Sequence, residues 1–295
     1  MKRRTPSQTT ARTGEETKGR LPGVQLPSSA LIAARLRFLP EAGSTNDELL
    51  AMARDAAEPH LSVVATASQT AGRGRLGRTW VAPPGKTLAV SVLLRPRAAD
   101  GTPLTIEHFG WLPLLAGVAM TVAVDAVVGK ARTTLKWPND VHIDGQKVSG
   151  ILAELLPTGD GVVIGAGVNL TLSAEELPVP TATSLALAGV QQAVGFGPAS
   201  DELVDLVLAR YLGELRDLVE RLAYAGGDAG SSGIRTLVSG FCSTLGRPVR
   251  VQLPGGTDLL GIATELDEDG RLIVRASDGT LSAVAAGDVT HLRYE

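Results

Sequence analysis

The segment spanning residues 72–80, Gly-Arg-Gly-Arg-Leu-Gly-Arg-Thr-Trp, restricts what this chain can fold into more than any other feature. Three glycines in nine residues make it too flexible for an ordinary helix or strand, so we expect a loop held between regular elements. Its arginines stay charged at physiological pH and grip phosphate or carboxylate through paired hydrogen bonds. Because the whole chain has a net charge of −3, this positive charge is local. The segment therefore predicts a bound anion and not a surface that coats nucleic acid.

Composition places the chain among globular proteins. Its 295 residues are 44% hydrophobic, enough for one large domain or two unequal ones with a sizeable core. The single cysteine, Cys242, excludes an intramolecular disulfide and favours a reducing, cytoplasmic location. The longest nearly apolar run, residues 111–124, contains Pro113 and is shorter than the roughly 20 residues of a membrane span. It predicts a buried core helix and no association with a membrane.

The first 30 residues differ in character from the rest. Basic residues stand among Ser, Thr, Pro and Gly with hardly any large apolar side chain, which predicts a disordered tail. No apolar stretch of signal-peptide length follows, so secretion is not expected. The tail could be a solvated extension or a nucleic-acid-binding arm, and it is too short for a helix-turn-helix domain.

Beyond the tail, the pattern predicts two domains. Residues 31–235 alternate between strands and helices, and residues 240–295 contain short strands separated by Gly-rich turns, which is typical of a small β-barrel. Residues 226–233 read as a flexible connection between them. The expected strands of the larger domain are 37–39, 62–67, 87–94, 133–137, 141–143, 146–156 and 161–170, and its expected helices are 47–57, 113–128 and 201–225.

A hairpin is the strongest local signal. Asp144-Gly145 suits a two-residue type I′ turn between two apolar runs. The resulting register pairs Ile143 with Gln146, His142 with Lys147, and Val141 with Val148. Lys147 then shares a sheet face with Asp140, at a separation of roughly 5 to 8 Å.

Residues 136–140 read Lys-Trp-Pro-Asn-Asp, where a strand stops at a proline. One interpretation is an Asn-Asp turn that ends the strand. The other makes Asp140 a ligand of Mg²⁺, which prefers oxygen donors and bound triphosphates. The shared face of Asp140 and Lys147 favours the second interpretation.

Five motifs together resemble the biotin protein ligases. They are Ser44-Thr45-Asn46, Gln69 with the loop at 72–80, residues 136–140, Lys147-Val148-Ser149-Gly150-Ile151-Leu152, and Gly165-Ala166-Gly167-Val168-Asn169. The resemblance covers about residue 35 to the C terminus and implies an α+β fold. That fold has a mixed-sheet catalytic domain of the class II aminoacyl-tRNA synthetase/biotin ligase type and a small C-terminal SH3-like β-barrel. An N-terminal DNA-binding domain, present in repressor-type members, is not expected, and neither is direct DNA binding.

The resemblance implies a two-step reaction. Biotin and MgATP give biotinyl-5′-adenylate, and a lysine of the biotin carboxyl carrier domain of an acetyl-CoA or acyl-CoA carboxylase then takes the biotinyl group. By resemblance, Arg73, Arg75 and Lys147 are the catalytic cations and Asp140 is the metal ligand. The biotin-binding set is Ser44, Thr45, Asn46, Gln69, Gly72, Arg73, Gly74, Arg75, Lys147 and Gly150. The ATP-binding set is Arg75, Arg78, Trp80, Lys136, Asn139 and Asn169.

Three alternatives stay open. A lipoate or octanoate ligase shares the fold, but its Arg-Arg and Ser-Gly-Gly run is absent. A nucleic-acid-binding protein would need broad basic stripes and aromatic platforms, which 3% aromatic residues do not favour. A biotin sensor without catalysis would not need Lys147 and Asp140. No histidine is placed as an evident general base for the transfer to lysine.

Overall fold

The computed structural model of the protein describes residues 24–80, 83–129, 133–190, 197–253, 256–285 and 288–291. Its α-helices are α1 (Pro27–Ile32), α2 (Thr45–Met52), α3 (Leu112–Val128), α4 (Asp201–Tyr224) and α5 (Ile234–Phe241). Its strands are β1 (Arg35–Leu39), β2 (Ser62–Thr66), β3 (Gly72–Arg73), β4 (Thr79–Trp80), β5 (Thr87–Leu94), β6 (Thr133–Lys136), β7 (Asp140–Ile143), β8 (Gln146–Leu155), β9 (Val162–Asn169), β10 (Pro248–Gln252), β11 (Asp258–Leu266), β12 (Leu272–Arg275), β13 (Leu281–Val284) and β14 (Asp288–His291).

A seven-stranded mixed sheet organises the larger domain, in the order β1-β2-β5-β9-β8-β7-β6. Strand β1 runs parallel to β2, and the other neighbours pair antiparallel. The α+β class predicted from the sequence is therefore confirmed.

The two faces of the sheet differ in side-chain size. Alternate residues of the central strands, such as Val90 and Ile164, join the main core together with α3 and α4. The opposite face carries α2, which packs on β2, β5 and β9. Beyond α2, this face presents Ser91, paired with Gly165, and then Gly167. Small residues there leave room above the sheet, and this room becomes the candidate site.

Helix α3 is the apolar run seen in the sequence. Residues 106–128 are long and apolar enough to cross a membrane, but the most apolar stretch is 67% buried inside the protein. Leu112, Leu115 and Met120 are fully enclosed by the sheet and α4. The prediction of a buried core helix is confirmed.

The C-terminal strands form a five-stranded antiparallel sheet in the order β13-β12-β11-β10-β14, which confirms the small β domain. The barrel is not closed, because β13 and β14 form no ladder across the described residues.

Two tryptophans fasten the β domain to the larger one. Trp111 Nε1 donates to the carbonyl of Glu268 (2.7 Å), and Trp137 Nε1 donates to that of Gly270 (3.2 Å). Both indoles are buried, so each needs a partner for its N–H group, and the turn at 267–270 supplies both.

The N-terminal boundary differs from the prediction. Residues 24–30 were expected in a disordered tail, but α1 begins at Pro27 and packs on α4. The Asp205 carboxylate accepts hydrogen bonds from the Ser28 N–H (3.0 Å), the Ser29 N–H (2.8 Å) and the Ser29 hydroxyl (2.6 Å). This partner lies 176 residues away along the chain, so no local pattern could reveal it. Residues 1–23, the rest of the predicted tail, lie outside the described residues.

Two smaller differences concern helices. Helix α2 ends at Met52, not at residue 57. Helix α5 was not predicted at all, because its eight residues lie between the expected linker and the expected β domain.

Candidate active site

A cavity of about 440 Å³ opens above the small-residue face of the large sheet. Every predicted site residue except Gly72 lines it. These residues are Ser44, Thr45, Asn46, Gln69, Arg73, Gly74, Arg75, Arg78, Trp80, Lys136, Asn139, Asp140, Lys147, Gly150 and Asn169. The structure thus gathers five motifs that are far apart in the sequence around one space.

Gly72 lies behind the cavity wall. A Cβ atom there would approach Gln69 Nε2 to 2.5 Å and the Trp80 carbonyl oxygen to 2.6 Å. Gly72 pairs with Trp80 in the short β3–β4 ladder. This close packing leaves no room for a side chain at residue 72. The resemblance, in contrast, assigned Gly72 to biotin binding.

The segment at 72–80 is more regular than predicted. Strands β3 and β4 form a two-stranded ladder around a 3₁₀ turn at Arg75–Gly77, so the expectation that it contains no strand is wrong. At the tip, Leu76 has φ of 57° and its side chain is 67% exposed. A left-handed leucine is strained, which marks the tip as a constrained part of the loop.

The Trp80 indole forms the floor of the cavity. A Cβ atom on Gly167 would lie 2.5 Å from the indole Cε2, and one on Gly150 would lie 3.4 Å from Cζ3. Glycine at both positions therefore lets the ring lie directly on the sheet. Lys147 Nζ stands 5.9 Å from the ring centroid, within cation–π range.

One wall is a chain of hydrogen-bonding side chains. The Gln69 Oε1 accepts from the Thr45 N–H (3.0 Å) and lies 3.2 Å from the Thr45 hydroxyl. Ser91 Oγ lies 2.8 Å from Thr45 Oγ1 and 2.6 Å from Asn46 Oδ1. The Asn46 amide then donates to Glu154 Oε2 (2.5 Å). The part of this chain that lines the cavity, at Thr45, Asn46 and Gln69, is polar and uncharged, and Glu154 ends the chain outside the cavity.

Arg73 continues the chain at the rim. Its guanidinium donates to both oxygens of Asp47 (2.7 and 3.1 Å) and to both oxygens of Glu154 (3.0 and 3.1 Å). The carboxylates of Asp47 and Glu154 therefore both bind this guanidinium group. The resemblance assigned Arg73 to catalysis and to biotin, which stays a prediction; in this structure Arg73 connects the loop to α2 and β8.

Arg75 points to the other end of the cavity. Its guanidinium donates to Asn139 Oδ1 (3.1 Å), and the Asn139 amide donates to the carbonyl of Ile151 (2.8 Å). Both ends of the Asn139 side chain are used by the protein. Its position makes it a support for Arg75, whereas the sequence assigned it to ATP.

Lys147 and Asp140 form an ion pair. Lys147 Nζ lies 2.7 Å from Asp140 Oδ1, and both side chains are less than one-third exposed. The predicted juxtaposition is confirmed. The type I′ turn is also present, because Asp144 and Gly145 have φ of 48° and 81°.

The predicted register of this hairpin is wrong beyond His142. Val141 pairs with Ser149, not Val148, because a β-bulge inserts one extra residue into β8. Asp140 then faces Gly150. A Cβ atom on Gly150 would lie 3.1 Å from Lys147 Nζ, so the lysine folds across this glycine to reach Asp140.

His142 lies on the same strand as Asp140. Burial lowers the pKa of His142 to about 4, which keeps its imidazole neutral at physiological pH. Nδ1 lies 3.0 Å from the Gly145 carbonyl oxygen, so it carries the hydrogen and donates.

Several wall residues were not predicted from the sequence. Lys147 N–H donates to the Thr181 carbonyl (2.8 Å), and Asn169 Nδ2 donates to the Thr183 carbonyl (2.9 Å), so the segment at 181–183 lies beside the cationic end. Other unpredicted lining residues are Pro178, Val179, Ala182 and Val289, the last from the β domain. Ser91, Asp47 and Glu154 do not line the cavity but contact residues that do, and they stand in ordinary strand and helix patterns, so only the fold reveals them.

The metal-binding capacity of this site is limited. Within the described ranges, His, Cys, Asp and Glu residues form no cluster of three or more that could hold a metal ion. Asp140 is the carboxylate at the cationic end. A single carboxylate fits Mg²⁺ when substrate phosphates and water supply the other ligands, and it does not fit an all-protein metal site.

The mixed sheet thus carries a cavity with a neutral polar wall at one end and cations at the other. Residues 42–169 match the biotin/lipoate A/B protein ligase family, and residues 244–292 match the biotin protein ligase C-terminal domain. The chain belongs to this family, on its biotin protein ligase branch.

Relatives and a solved structure agree with this assignment. The chain is 39% identical over 262 residues to the biotin–[acetyl-CoA-carboxylase] ligase of Mycobacterium tuberculosis, covering 88% of this chain and 90% of that protein. It is 34% identical to the ligase of the same name from Paracoccus denitrificans, covering 82% and 95%. Among solved structures, it resembles the Aquifex aeolicus biotin protein ligase in complex with biotin and ATP, with a TM-score of 0.65, 25% identity and coverage of 88% and 100%.

Proposed function

We propose that this chain joins biotin to ATP, giving biotinyl-5′-adenylate and pyrophosphate, and then transfers the biotinyl group to a lysine of a biotin carboxyl carrier domain. The carrier domain of acetyl-CoA carboxylase is the acceptor suggested by the relatives' names. The observation that carries the proposal is that a neutral hydrogen-bonding wall and a cluster of cations face each other across one cavity.

The neutral wall suits the ureido ring of biotin. That ring is uncharged and carries both N–H donors and a carbonyl acceptor, so it needs hydrogen-bond partners in an otherwise apolar pocket. Ser44, Thr45 and Gln69 provide hydroxyl and amide groups at this end. Trp80 offers the apolar surface for the acyl chain on the way to the cations.

The cationic end suits the reaction at phosphorus. Attack of a carboxylate on the α-phosphate brings two anions together, so the site must neutralise charge and align the reactants more than it must move protons. Arg75 and Lys147 lie there, each oriented by an oxygen partner, Asn139 and Asp140 respectively. By comparison with oxyanion-hole deletions, one such cation lowers the barrier by about 3 kcal/mol. Arg78, Lys136 and Asn169 line the same end and would contact the nucleotide.

Asp140 is the residue that would hold Mg²⁺. When bound, the ion would neutralise phosphate charge alongside the two cations. Asp140 also holds Lys147, so its carboxylate orients the ammonium group toward the cavity whether or not a metal is present.

The loop at 72–80 would protect the intermediate. A biotinyl-adenylate is a mixed anhydride that water hydrolyses, and closing a loop over it excludes water. In the second step the carrier's lysine amine attacks the acyl carbon and the AMP oxygen leaves. The cations that served the first step stabilise the departing phosphate.

Incubation with ATP, Mg²⁺ and labelled biotin or lipoate tests the proposal, with and without a carboxyl carrier domain. We expect biotinyl-adenylate without the carrier and biotinylated carrier with it. Acylation by lipoate in place of biotin would identify a lipoate-protein ligase, and no adenylate from either acid would refute the proposal.

A further inference from the structure

We propose that Glu154 is a positioning residue that sets the donor and acceptor pattern of the biotin-recognising wall. The inference rests on the proposed function. Glu154 lies on β8 and does not line the cavity, but its carboxylate accepts the Asn46 amide (2.5 Å) at the end of the hydrogen-bonded chain from Gln69.

The Asn46 amide has one orientation. It lies across the sheet between Ser91 on β5 and Glu154 on β8, over Gly165 on β9. A Cβ atom on Gly165 would meet Asn46 Oδ1 at 2.3 Å, so the amide rests against the backbone. A carboxylate only accepts hydrogen bonds, so Asn46 must present its nitrogen to Glu154 and its oxygen to Ser91.

This orientation of the Asn46 amide determines which acceptor each hydroxyl hydrogen of Ser91 and Thr45 bonds. Asn46 Oδ1 only accepts, so the single hydroxyl hydrogen of Ser91 is donated to it (2.6 Å). The 2.8 Å contact between Ser91 Oγ and Thr45 Oγ1 then requires the Thr45 hydrogen. The Thr45 hydroxyl also lies 3.2 Å from Gln69 Oε1, but the shorter contact to Ser91 takes its hydrogen, and Gln69 Oε1 keeps the Thr45 backbone N–H as its donor (3.0 Å). Such a chain is cooperative, because each donor strengthens the next.

The pattern matches a cyclic urea. With its hydrogen committed to Ser91, Thr45 Oγ1 can only accept from a ligand, and Gln69, with its carbonyl occupied, offers N–H donors. A ureido ring supplies the complementary N–H and C=O groups, whereas a dithiolane ring supplies neither. The negative charge of Glu154, two side chains away from Thr45, therefore favours biotin over an acid of similar length.

Glu154 also binds Arg73, so the experiment must distinguish the effect of this contact from the effect of the contact with Asn46. Arg73 has a second carboxylate partner, Asp47, at 2.7 Å, and no hydrogen bond joins Asp47 to Asn46 among the described contacts. Asp47→Asn weakens the arginine's attachment without touching the Asn46 chain, so it is the matched control.

The experiment compares wild type with Glu154→Gln, Ser91→Ala and Asp47→Asn, by calorimetric biotin binding and by adenylate formation at varied biotin and varied ATP. We expect Glu154→Gln and Ser91→Ala to raise the biotin Kd and KM about tenfold, because an uncommitted Thr45 hydrogen opposes a ligand N–H. The KM for ATP and kcat should stay within about twofold in both variants, and Asp47→Asn should stay within about twofold throughout.

An unchanged biotin Kd in Glu154→Gln would overturn the proposal. So would an equal rise in Asp47→Asn, because the effect would then come from Arg73. A wild-type protein that makes no biotinyl-adenylate would instead overturn the proposed function, so the two failures are distinguishable.

Discussion

Lys147 reaches Asp140 by folding across Gly150, and its Nζ ends 2.7 Å from the carboxylate oxygen Oδ1. The β-bulge in β8 places the glycine opposite Asp140 and so makes this path possible. The ion pair holds an ammonium group at the cationic end of the cavity, over the Trp80 ring. The lysine, the bulge and the glycine act together, and the lysine and the glycine can each be tested separately.

Lys147→Ala removes the ammonium group. We expect kcat for adenylate formation to fall about 100- to 1,000-fold, as for deletion of an oxyanion-hole donor, because charge on the reacting phosphate loses a partner. Pre-steady-state measurement of adenylate formation checks this. Lys147→Arg is the control, since it keeps the charge and should retain more activity than the alanine variant. Near-wild-type rates in Lys147→Ala would refute the assigned role.

Gly150→Ala tests the path of the lysine. The new Cβ would lie 3.1 Å from Lys147 Nζ and 3.4 Å from the Trp80 ring, so the ammonium group must shift. A shift of this kind is expected to slow adenylate formation about 10- to 100-fold while the protein stays folded. Gly240→Ala is the matched control, because its Cβ meets nothing within 4 Å. Equal rates in the two variants would show that the lysine does not need this space.

Much of this site could be predicted from the sequence because its polar and charged residues lie in short local motifs. The hairpin turn and the Lys147–Asp140 contact were predicted from residue types and strand alternation, whereas the other lining residues came from the resemblance of five motifs to the biotin protein ligases. The β-bulge in β8 was not predicted, because residues 146–150 can pair with β7 with or without the extra residue. Only the glycine beneath Lys147 distinguishes the two registers. Ser91, Glu154 and the Asp205 partner of α1 were missed because their contacts join segments that are distant along the chain.

Asn139→Ala tests the support of Arg75. Loss of the amide removes the acceptor at 3.1 Å from the guanidinium and leaves the Ile151 carbonyl without its side-chain donor. We expect the KM for ATP to rise about tenfold and stability to fall by about 1 kcal/mol. Asn139→Asp keeps an acceptor for Arg75, so its KM should lie closer to wild type. A KM for ATP that is the same in Asn139→Ala and wild type would contradict this role.

Asp205→Ala tests the attachment of α1. The carboxylate satisfies three donors at the start of this helix, and Ser29 is fully buried. Leaving these groups unpaired should cost about 2 to 3 kcal/mol of unfolding free energy and raise hydrogen exchange in residues 27–32. Urea unfolding and exchange measured by mass spectrometry check both effects. Asp217→Ala, on the exposed side of α4, the helix that also carries Asp205, should change stability by less than about 0.5 kcal/mol. Equal exchange in residues 27–32 of the two variants would contradict the anchoring role.

The protein is expected to lose unfolding free energy in mild acid because of His60. Burial lowers the pKa of His60 to about 4, and its Nδ1 accepts the Arg95 N–H (3.0 Å), a bond that protonation of this nitrogen would break. The unfolded chain takes up the proton near pH 6.5, whereas the folded chain does so only near pH 4. Stability is therefore complete above about pH 6.5 and falls as the pH drops toward 4, by about 3 kcal/mol from this residue. His60→Asn keeps an acceptor for Arg95 but does not titrate, so its urea-unfolding free energy should vary less between pH 7.5 and 5. Equal slopes in the two proteins would show that His60 does not set this dependence.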